Sequence, residues 1–336
     1  MPSRSSTPLV LAGDIGGTNA RLRLYERSGK KIVDEAVLPS AAAPSLSAVL
    51  REYLSRRKAG KVMAAVLGVA GPVVGGVADV TNLPWKVVDE RKLAKELKIP
   101  KVRLINDLAA GAVGCTVVPA SARLVIAKGK PEKRANIAVI AAGTGLGEAL
   151  LVWDGERHVP SATEGGHCDF APNSEIEVEL WSYIRRLFDN GHVSIEHAAL
   201  AGPGLGRIYD FFVQRQGGEN LEVSERLGSG DRNATIASLG LSGESRAAAD
   251  AVDLFCRIYG AEAGNLALKG FALGGVYLLG RIAATLIPTK KDLFLAGMRA
   301  KGRMGELMER IPVTVVTDRF AGLTGAGHLA ARLAAG

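Results

Sequence analysis

The sequence predicts an α/β protein made of two related halves, and three observations carry that expectation. The first is a stretch that opens at Leu9. Its apolar run, residues 9–12, reads as a buried strand that ends at Gly13 and Asp14. A Gly-Gly-Thr turn follows, and then Ala20, Leu22 and Leu24 alternate with Arg21 and Arg23, the period of two of a second strand. The second observation is a repeat: at a constant offset of 129, Val10, Ala12, Gly16, Ala20 and Leu22 recur as Val139, Ala141, Gly145, Ala149 and Leu151. The third is the order of elements in the first third of the chain, βββαβ(β)αβ, which describes a mixed sheet with helices on its faces.

The elements follow in order. Residues 31–38 read as a third strand and 45–58 as a helix with Leu46, Val49, Leu50, Tyr53 and Leu54 on one face. Residues 62–70 are almost uninterruptedly apolar, as in a strand covered on both faces, and Gly71-Pro72 turns the chain. A further strand runs to Thr81, Asp89 opens a short helix to Lys98, and residues 102–105 form a strand that delivers Asn106 and Asp107. The second half repeats the plan with a hairpin over 137–153 and a strand before Thr163. A capping box at Asn173-Ser174 with Glu177 opens a helix through Phe188, stopped at Asn190-Gly191. Another helix opens at Gly202, and residues 214–243 are polar and broken, with one short helix over 234–239. A long Ala-rich helix spans 244–268, strands fall at 271–280 and 313–316, and a helix over 322–333 closes the chain.

Composition narrows the function classes. With 336 residues there is room for two domains, each with its own core. The net charge of +8 comes from scattered Lys and Arg, without a helix-turn-helix pattern or a basic-aromatic stripe, which disfavours nucleic acid. Three widely separated cysteines, Cys115, Cys168 and Cys256, fit neither a disulfide framework nor a zinc cluster and suit a reducing cytosol. The polar start is neither signal peptide nor anchor, and no apolar run reaches the ~18 residues that would span a bilayer.

Several stretches could carry chemistry. Glycine turns let backbone N–H groups approach a ligand and can form anion nests. Asp14 would repel a bare phosphate, yet becomes useful with a divalent cation between them; a plain β-hairpin is the competing reading. Asn106 and Asp107 stand just past a buried parallel strand, where open α/β sheets bind ligands. Asp107 there is either a general base or the N-cap of a helix over 108–114. Glu164 and His167 flank two glycines, as hydroxyl-binding groups or as an exposed turn. Gly274-Gly275 reads as a close approach to a ligand or as a bulge or tight turn. His158, His192, His197 and His328 read as surface or capping residues.

Together these residues carry a resemblance. The sequence resembles the bacterial glucokinases of the sugar kinase/actin/Hsp70-like ATPase superfamily, ATP-dependent enzymes that make glucose 6-phosphate. It does so over residues 13–328, through Gly-Asp-Ile-Gly-Gly-Thr-Asn-Ala-Arg-Leu, Thr-Asn-Leu-Pro-Trp, Ile-Asn-Asp, Gly-Thr-Gly-Leu-Gly, Glu-Gly-Gly-His-Cys-Asp-Phe-Ala-Pro and Gly-His-Val-Ser-Ile-Glu. The resemblance implies two actin-like (ribonuclease H-like) α/β domains with an interdomain cleft. The small domain would be residues 9–115 plus 318–336, the large one 116–317, behind a disordered leader of residues 1–8. It implies ATP and Mg²⁺ as cofactors, glucose as substrate, a homodimer, and a cytoplasmic protein that binds neither nucleic acid nor membrane. Gly13, Asp14, Ile15, Gly16, Gly17 and Thr18 would form one phosphate loop, and Gly143, Thr144 and Gly145 the other, with Asp14 holding Mg²⁺ through water. Gly274 and Gly275 would lie at the adenosine. Asn106, Asp107, Glu164, His167 and Glu196 would bind the sugar hydroxyls, Asp107 also being the catalytic base. Two departures matter. Leu279-Gly280-Arg281 stands where many relatives carry a second small-residue pair, so Arg281 would crowd or clamp the nucleotide. No cysteine-rich zinc loop follows His167, which disfavours the sister repressor/ORF/kinase family. Another hexose or amino-sugar kinase, and a non-catalytic regulator, are the rival functions.

Overall fold

The computed structural model describes residues 8–56, 60–80, 83, 85–188, 191–199 and 203–336. Of the expected features, the leader up to residue 7, Thr81, Asn82 and Pro84 of the Thr-Asn-Leu-Pro-Trp motif, Asn190, and Gly202 fall outside them. The chain divides into two compact units. One holds Met1–Ala122, Pro160–Ala162 and Asp318–Gly336; the other holds Arg123–Val159 and Thr163–Thr317.

In the first unit the chain forms β1 (Leu9–Ile15), β2 (Asn19–Glu26), β3 (Ile32–Pro39), α1 (Leu46–Ser55) and β4 (Val62–Val69). It continues through a three-stranded ribbon, β5 (Val73–Val74), β6 (Val77–Asp79) and β7 (Val87–Asp89), to α2 (Glu90–Leu97), β8 (Lys101–Asn106) and α3 (Asp107–Val117). The closing helix of the chain, α13 (Ala321–Ala335), returns to this unit. The sheet order is β3-β2-β1-β4-β8, with β1 antiparallel to β2 and parallel to β4, and β4 parallel to β8. Both central strands are covered on both sides, which is why their sequences are apolar throughout. Leu9, Leu11, Ile15, Leu67 and Val69 meet Leu46 and Leu50 of α1 and Leu93 of α2 on one face. Val10, Ala12, Ala64 and Val66 meet Ala110 of α3 and Leu323 and Ala326 of α13 on the other. Each Leu or Val buried in this way contributes about 1.5–3 kcal/mol. The two helices touch backbone to backbone: a Cβ on Gly114 would stand 1.9 Å from Ala321 O, and one on Gly325 1.9 Å from Ala110 O. The junction between residues 115 and 116, where the sequence was divided, falls inside α3.

The second unit opens with an edge strand absent from the sequence reading, β9 (Arg123–Ala127), followed by β10 (Ile137–Ala142), β11 (Leu146–Trp153) and β12 (His158–Thr163), whose residues 160–162 group with the first unit. Helices α4 (Glu175–Arg185), α5 (Ile195–Ala199) and α6 (Pro203–Gln216) follow. Where one short helix was expected there are two, α7 (Leu221–Gly228) and α8 (Arg232–Ser242), and then α9 (Arg246–Lys269). This unit closes with β13 (Gly275–Leu279), α10 (Arg281–Leu286), α11 (Lys291–Arg299), α12 (Gly305–Arg310) and β14 (Val313–Val316). Helix α4 stops at Arg185, before the expected Phe188, and Ser174 is its N-cap without a side-chain bond. Glu177 accepts instead from Asn173 N at 2.6 Å. Among the described residues no helix is long and apolar enough to cross a membrane.

The strand order here is β12-β11-β10-β13-β14-β9. Antiparallel β10–β11 and parallel β10–β13 and β13–β14 reproduce the pairings of the first sheet. The residue matches that revealed the repeat are, however, not the equivalent ones. The last pair before each turn is Ile15 with Ala20 in one hairpin and Ala142 with Leu146 in the other. The offset is therefore 127 on the first strand and 126 on the second, because the second turn is one residue shorter.

Candidate active site

In the first unit, adjacent strands bring the acidic candidates to one edge. Ile15 pairs with Val69, and Val69 with Asn106, so Asp14, the turn after β1 and Asp107 all lie at the carboxyl ends of parallel strands. Strand spacing sets β1 and β8 about 10 Å apart, with β4 between. Gly16 N donates to Asn19 O (3.0 Å) to close the turn. The turn is braced from outside: Ser40 N donates to Thr18 O (3.0 Å), and buried Trp85 donates Nε1–H to Ser40 O (3.3 Å). Gly13 has a different reason to be glycine. A Cβ there would meet Leu67 Cδ2 at 2.6 Å, so it is a packing position rather than a ligand cradle. Asp14 is partly exposed and receives Arg21 Nη1 at 3.1 Å from the facing residue of β2.

The N-cap of α3 is Asn106, not Asp107. Asn106 Oδ1 accepts from Leu108 N (3.0 Å) and Ala109 N (3.1 Å), and its Nδ2 donates to Gly71 O (3.3 Å). The amide expected to bind sugar is thus already employed in holding the helix start and the turn after β4. Asp107 is the first residue of α3; it is exposed and accepts from Leu108 N at 2.7 Å.

In the second unit, Glu164, Gly165, Gly166 and His167 form a single 3₁₀ turn, in which His167 N donates to Glu164 O (3.0 Å). The segment after it is stitched to the start of α5. Phe170 N donates to Val193 O (2.8 Å), Ile195 N donates to Cys168 O (2.8 Å), and Asp169 bridges Ser194. This brings Glu196 beside the same turn. Glu164 and His167 are exposed, with Oε2 and Nε2 3.9 Å apart, and His192 reaches Asp169 Oδ1 at 3.0 Å. His197 keeps the segment in place: Ser194 N donates to its Nδ1 (3.2 Å), and its ring stacks on Phe188 with centroids 4.0 Å apart. Burial, and next Arg207, hold its imidazole below the usual range, so it stays neutral with the proton on Nε2.

This cluster lies against the second glycine turn. Leu146 N is 3.4 Å from Glu196 Oε2, and a Cβ on Gly145 would also meet that oxygen at 3.4 Å. A Cβ on Gly166 would fall 2.1 Å from Leu146 O. The proposed sugar residues and the proposed phosphate turn therefore share one place within this unit. A Cβ on Gly143 would meet only Gly145 O, at 3.8 Å, so packing does not require glycine there and the space over the turn is open.

Gly274 and Gly275 are not part of this arrangement. Gly275 pairs with Ile137, at the amino end of β10, whereas the turn follows Ala142 at its carboxyl end. Five residues of strand, about 17 Å, separate them. Gly274 is glycine because a Cβ would come within 2.9 Å of Ala135 O and Asn136 O, and Gly275 because its φ is +136°. The glycine that reaches the turn is Gly280, at the carboxyl end of β13, with φ +96° and its Cβ position 3.3 Å from Ala142 O. Strand direction was the missed signal, since ligand-facing turns in such sheets follow their strands. Arg281, next in the chain, turns to Asp231 Oδ2 (3.2 Å), the residue that caps α8.

Beneath the Glu164–His167 turn lies a buried carboxyl. Glu148 of β11 is pushed up to about 8 by burial and then by neighbouring Glu262 of α9, with Lys269 opposing. Sequence reading passed over it as part of a strand.

The profile of the glucokinase family matches residues 11–333 of this chain. A glucokinase from Nostoc sp. is 37% identical, over 97% of this chain and 99% of the relative. The crystal structure of a glucokinase from an Antarctic psychrotroph superposes with a TM-score of 0.82 at 30% identity, over 96% of this chain and 99% of that one. A Streptomyces griseus ROK-family glucokinase in complex with glucose and AMPPNP shares the fold, with a TM-score of 0.62 at 21% identity over 96% and 99% of the two chains.

Proposed function

The chain belongs to the glucokinase family, and we propose on that premise that it transfers the γ-phosphoryl group of ATP to the 6-hydroxyl of glucose, with Asp107 as general base. The observation that carries this reading is the seat of Glu196 against Gly145 and Leu146, since a kinase must hold acceptor and phosphate side by side.

Each residue has a task set by its chemistry. Glu164, His167 and Glu196 bind the sugar's hydroxyls; a site of paired polar groups rejects analogues that lack a hydroxyl, because its own groups are then left unpaired. Asp107 takes the proton of the 6-hydroxyl as that oxygen bonds to the γ-phosphorus and the bond to the bridging oxygen of ADP breaks. The N–H groups of Gly16 and Gly143 close their own turns, and those of Gly17 and Thr18, and of Thr144 and Gly145, meet the phosphate oxygens, where charge spreads in the transition state. The chain also fits the divalent cation of this chemistry, because Asp14 offers a partly exposed carboxylate next to the first turn. Asp14 would hold Mg²⁺ through water, and the bound ion neutralises phosphate charge. The adenosine lies at Gly280 and Arg281 rather than at Gly274 and Gly275.

The test is ADP release with Mg²⁺-ATP and, separately, glucose, mannose, fructose, N-acetylglucosamine and N-acetylmannosamine. Turnover with glucose above all others is expected. Turnover mainly with an amino sugar would keep the mechanism and change the substrate; binding of glucose without turnover would make the protein a regulator.

A further inference from the structure

Glu148 has no task in phosphoryl transfer, yet it occupies a costly position. Its side chain and that of Glu262 are both buried, each residue only 4% exposed. Two carboxyls in contact out of water cannot both ionise. No donor among the described groups reaches Glu148 Oε1, which leaves that oxygen to a proton of its own carboxyl. Of the charged groups around the pair, Lys269 opposes the upward push on Glu148, while Lys301 is engaged elsewhere. Lys301 donates its Nζ protons to Ala261 O (2.9 Å) and Asn265 Oδ1 (2.7 Å), and Asn265 Nδ2 in turn donates to Glu262 Oε2 (3.0 Å). Lys269 and Tyr259 face the pair from α9, and Glu177 faces Lys301 from α4.

The other side of Glu148 is the turn itself. A Cβ on Gly165 would stand 1.9 Å from Glu148 Oε2. Thr163 Oγ1 donates to Glu148 O (3.0 Å) and accepts from Gly165 N (3.2 Å). Glu148 thus touches, through backbone and side chain, the two-glycine turn whose ends are Glu164 and His167. Helix α9 is 24 residues long and buried along most of its length, while Glu164 and His167 are exposed. Of the two elements packed on the pair, the turn is the one that can yield.

We propose that Glu148, by sharing one proton with Glu262, is a positioning residue that holds the Glu164–His167 turn in its sugar-binding shape, so that glucose is bound poorly once the pair gives up that proton. The inference rests on Glu164 and His167 being sugar ligands, and the experiment separates the two ideas.

Glucose KM, ATP KM and kcat are measured on the full chain from about pH 6 to about pH 9.5, with thermal melts at each pH. The proteins are wild type, Glu148→Gln, Glu262→Gln, Cys168→Ser and His167→Ala. In the wild type, glucose KM is expected to rise about fivefold or more through the alkaline limb, while ATP KM and kcat change less than about twofold. Glu148→Gln, which keeps a permanent donor toward Glu262, should abolish that rise, and so should Glu262→Gln. Cys168→Ser, which removes the exposed thiol next to the same turn, should retain it. A wild type with flat glucose KM, or a Gln variant with the full rise, overturns the proposal. Should either Gln variant fail to fold, the wild-type profile and the other variant still decide. Unchanged glucose KM in His167→Ala would sink the sugar assignment instead, whatever the pH profile.

Discussion

The two glycine turns share a backbone plan and differ in what surrounds them. The turn after β1 is braced by backbone, through Ser40 and Trp85, and beside it Asp14 pairs with the Arg21 that faces it. The turn after β10 has no charge of its own and is one residue shorter; Glu196 and the Gly166 backbone lie directly against it. The two units repeat the strand order and the place of the turn at the carboxyl end of the first strand. On the proposed reading the residues flanking each turn divide the work, Asp14 serving the cation in one unit and Glu164, His167 and Glu196 the sugar in the other. Buried charge follows the same split. In the first unit Arg23 is satisfied by Glu35 (2.7 Å) and the Tyr25 hydroxyl (3.2 Å), whereas Glu148 in the second must keep a proton.

The sharpest way to break this division is to remove a group from one unit and see which step fails. Asp107→Asn should lower kcat by about 10²–10⁴-fold with glucose KM little changed, as measured by steady-state ADP release. A variant with near-native turnover would take the base away from the first unit. Gly166→Ala comes next: its Cβ must displace the Leu146 carbonyl, so glucose KM should rise about tenfold or more. Gly274→Ala is its control. It is also crowded, though less so, and lies at the wrong end of the sheet; it should cost about 1–3 kcal/mol by denaturant melt while ATP KM stays put. A raised ATP KM in Gly274→Ala would restore that glycine to the nucleotide site.

A middle-sized effect reads the buried carboxyl itself. In the unfolded chain Glu148 ionises near 4.5, whereas the folded chain keeps its proton to about 8. Between those values the folded state binds the extra proton, so this group's contribution to stability falls as pH rises through the window and levels off above it. Glu148→Gln does not titrate. It should match the wild type near pH 4 and exceed it above pH 8 by up to about 5 kcal/mol, in melts at the two pH values. A difference independent of pH would mean that Glu148 is ionised in the fold.

Much of this was legible in the sequence because burial on both faces leaves a pure signal: β1, β4 and β10 were read from uninterrupted apolar runs. β9 was missed because Arg-Leu-Val-Ile-Ala is an edge strand with Leu124 and Val125 exposed, and nothing alternates. Helix α7 was hidden by polar composition although Asn220 caps it, and α8 was read only over its middle, residues 234–239, although Asp231 caps its start. Gly274-Gly275 misled because a glycine pair looks the same at either end of a strand; only the parallel register with β10 says which end it occupies. Glu148 was invisible, since no local pattern tells that a strand glutamate faces another acid 114 positions later, on α9.

The smallest effect concerns Asn106, where fold and function compete for one amide. As the N-cap of α3 it accepts from two backbone N–H groups, and losing that role in Asn106→Ala should cost about 1 kcal/mol. Asn106→Ser keeps a capping oxygen but removes the Nδ2 donor, which now reaches Gly71 O. Stability should therefore return with serine while the donor stays lost. If glucose KM also returns, Asn106 serves the sugar only by fixing the helix start that places Asp107. If KM stays raised by about twofold to tenfold at restored stability, the amide touches the sugar, and the first unit contributes recognition as well as the base.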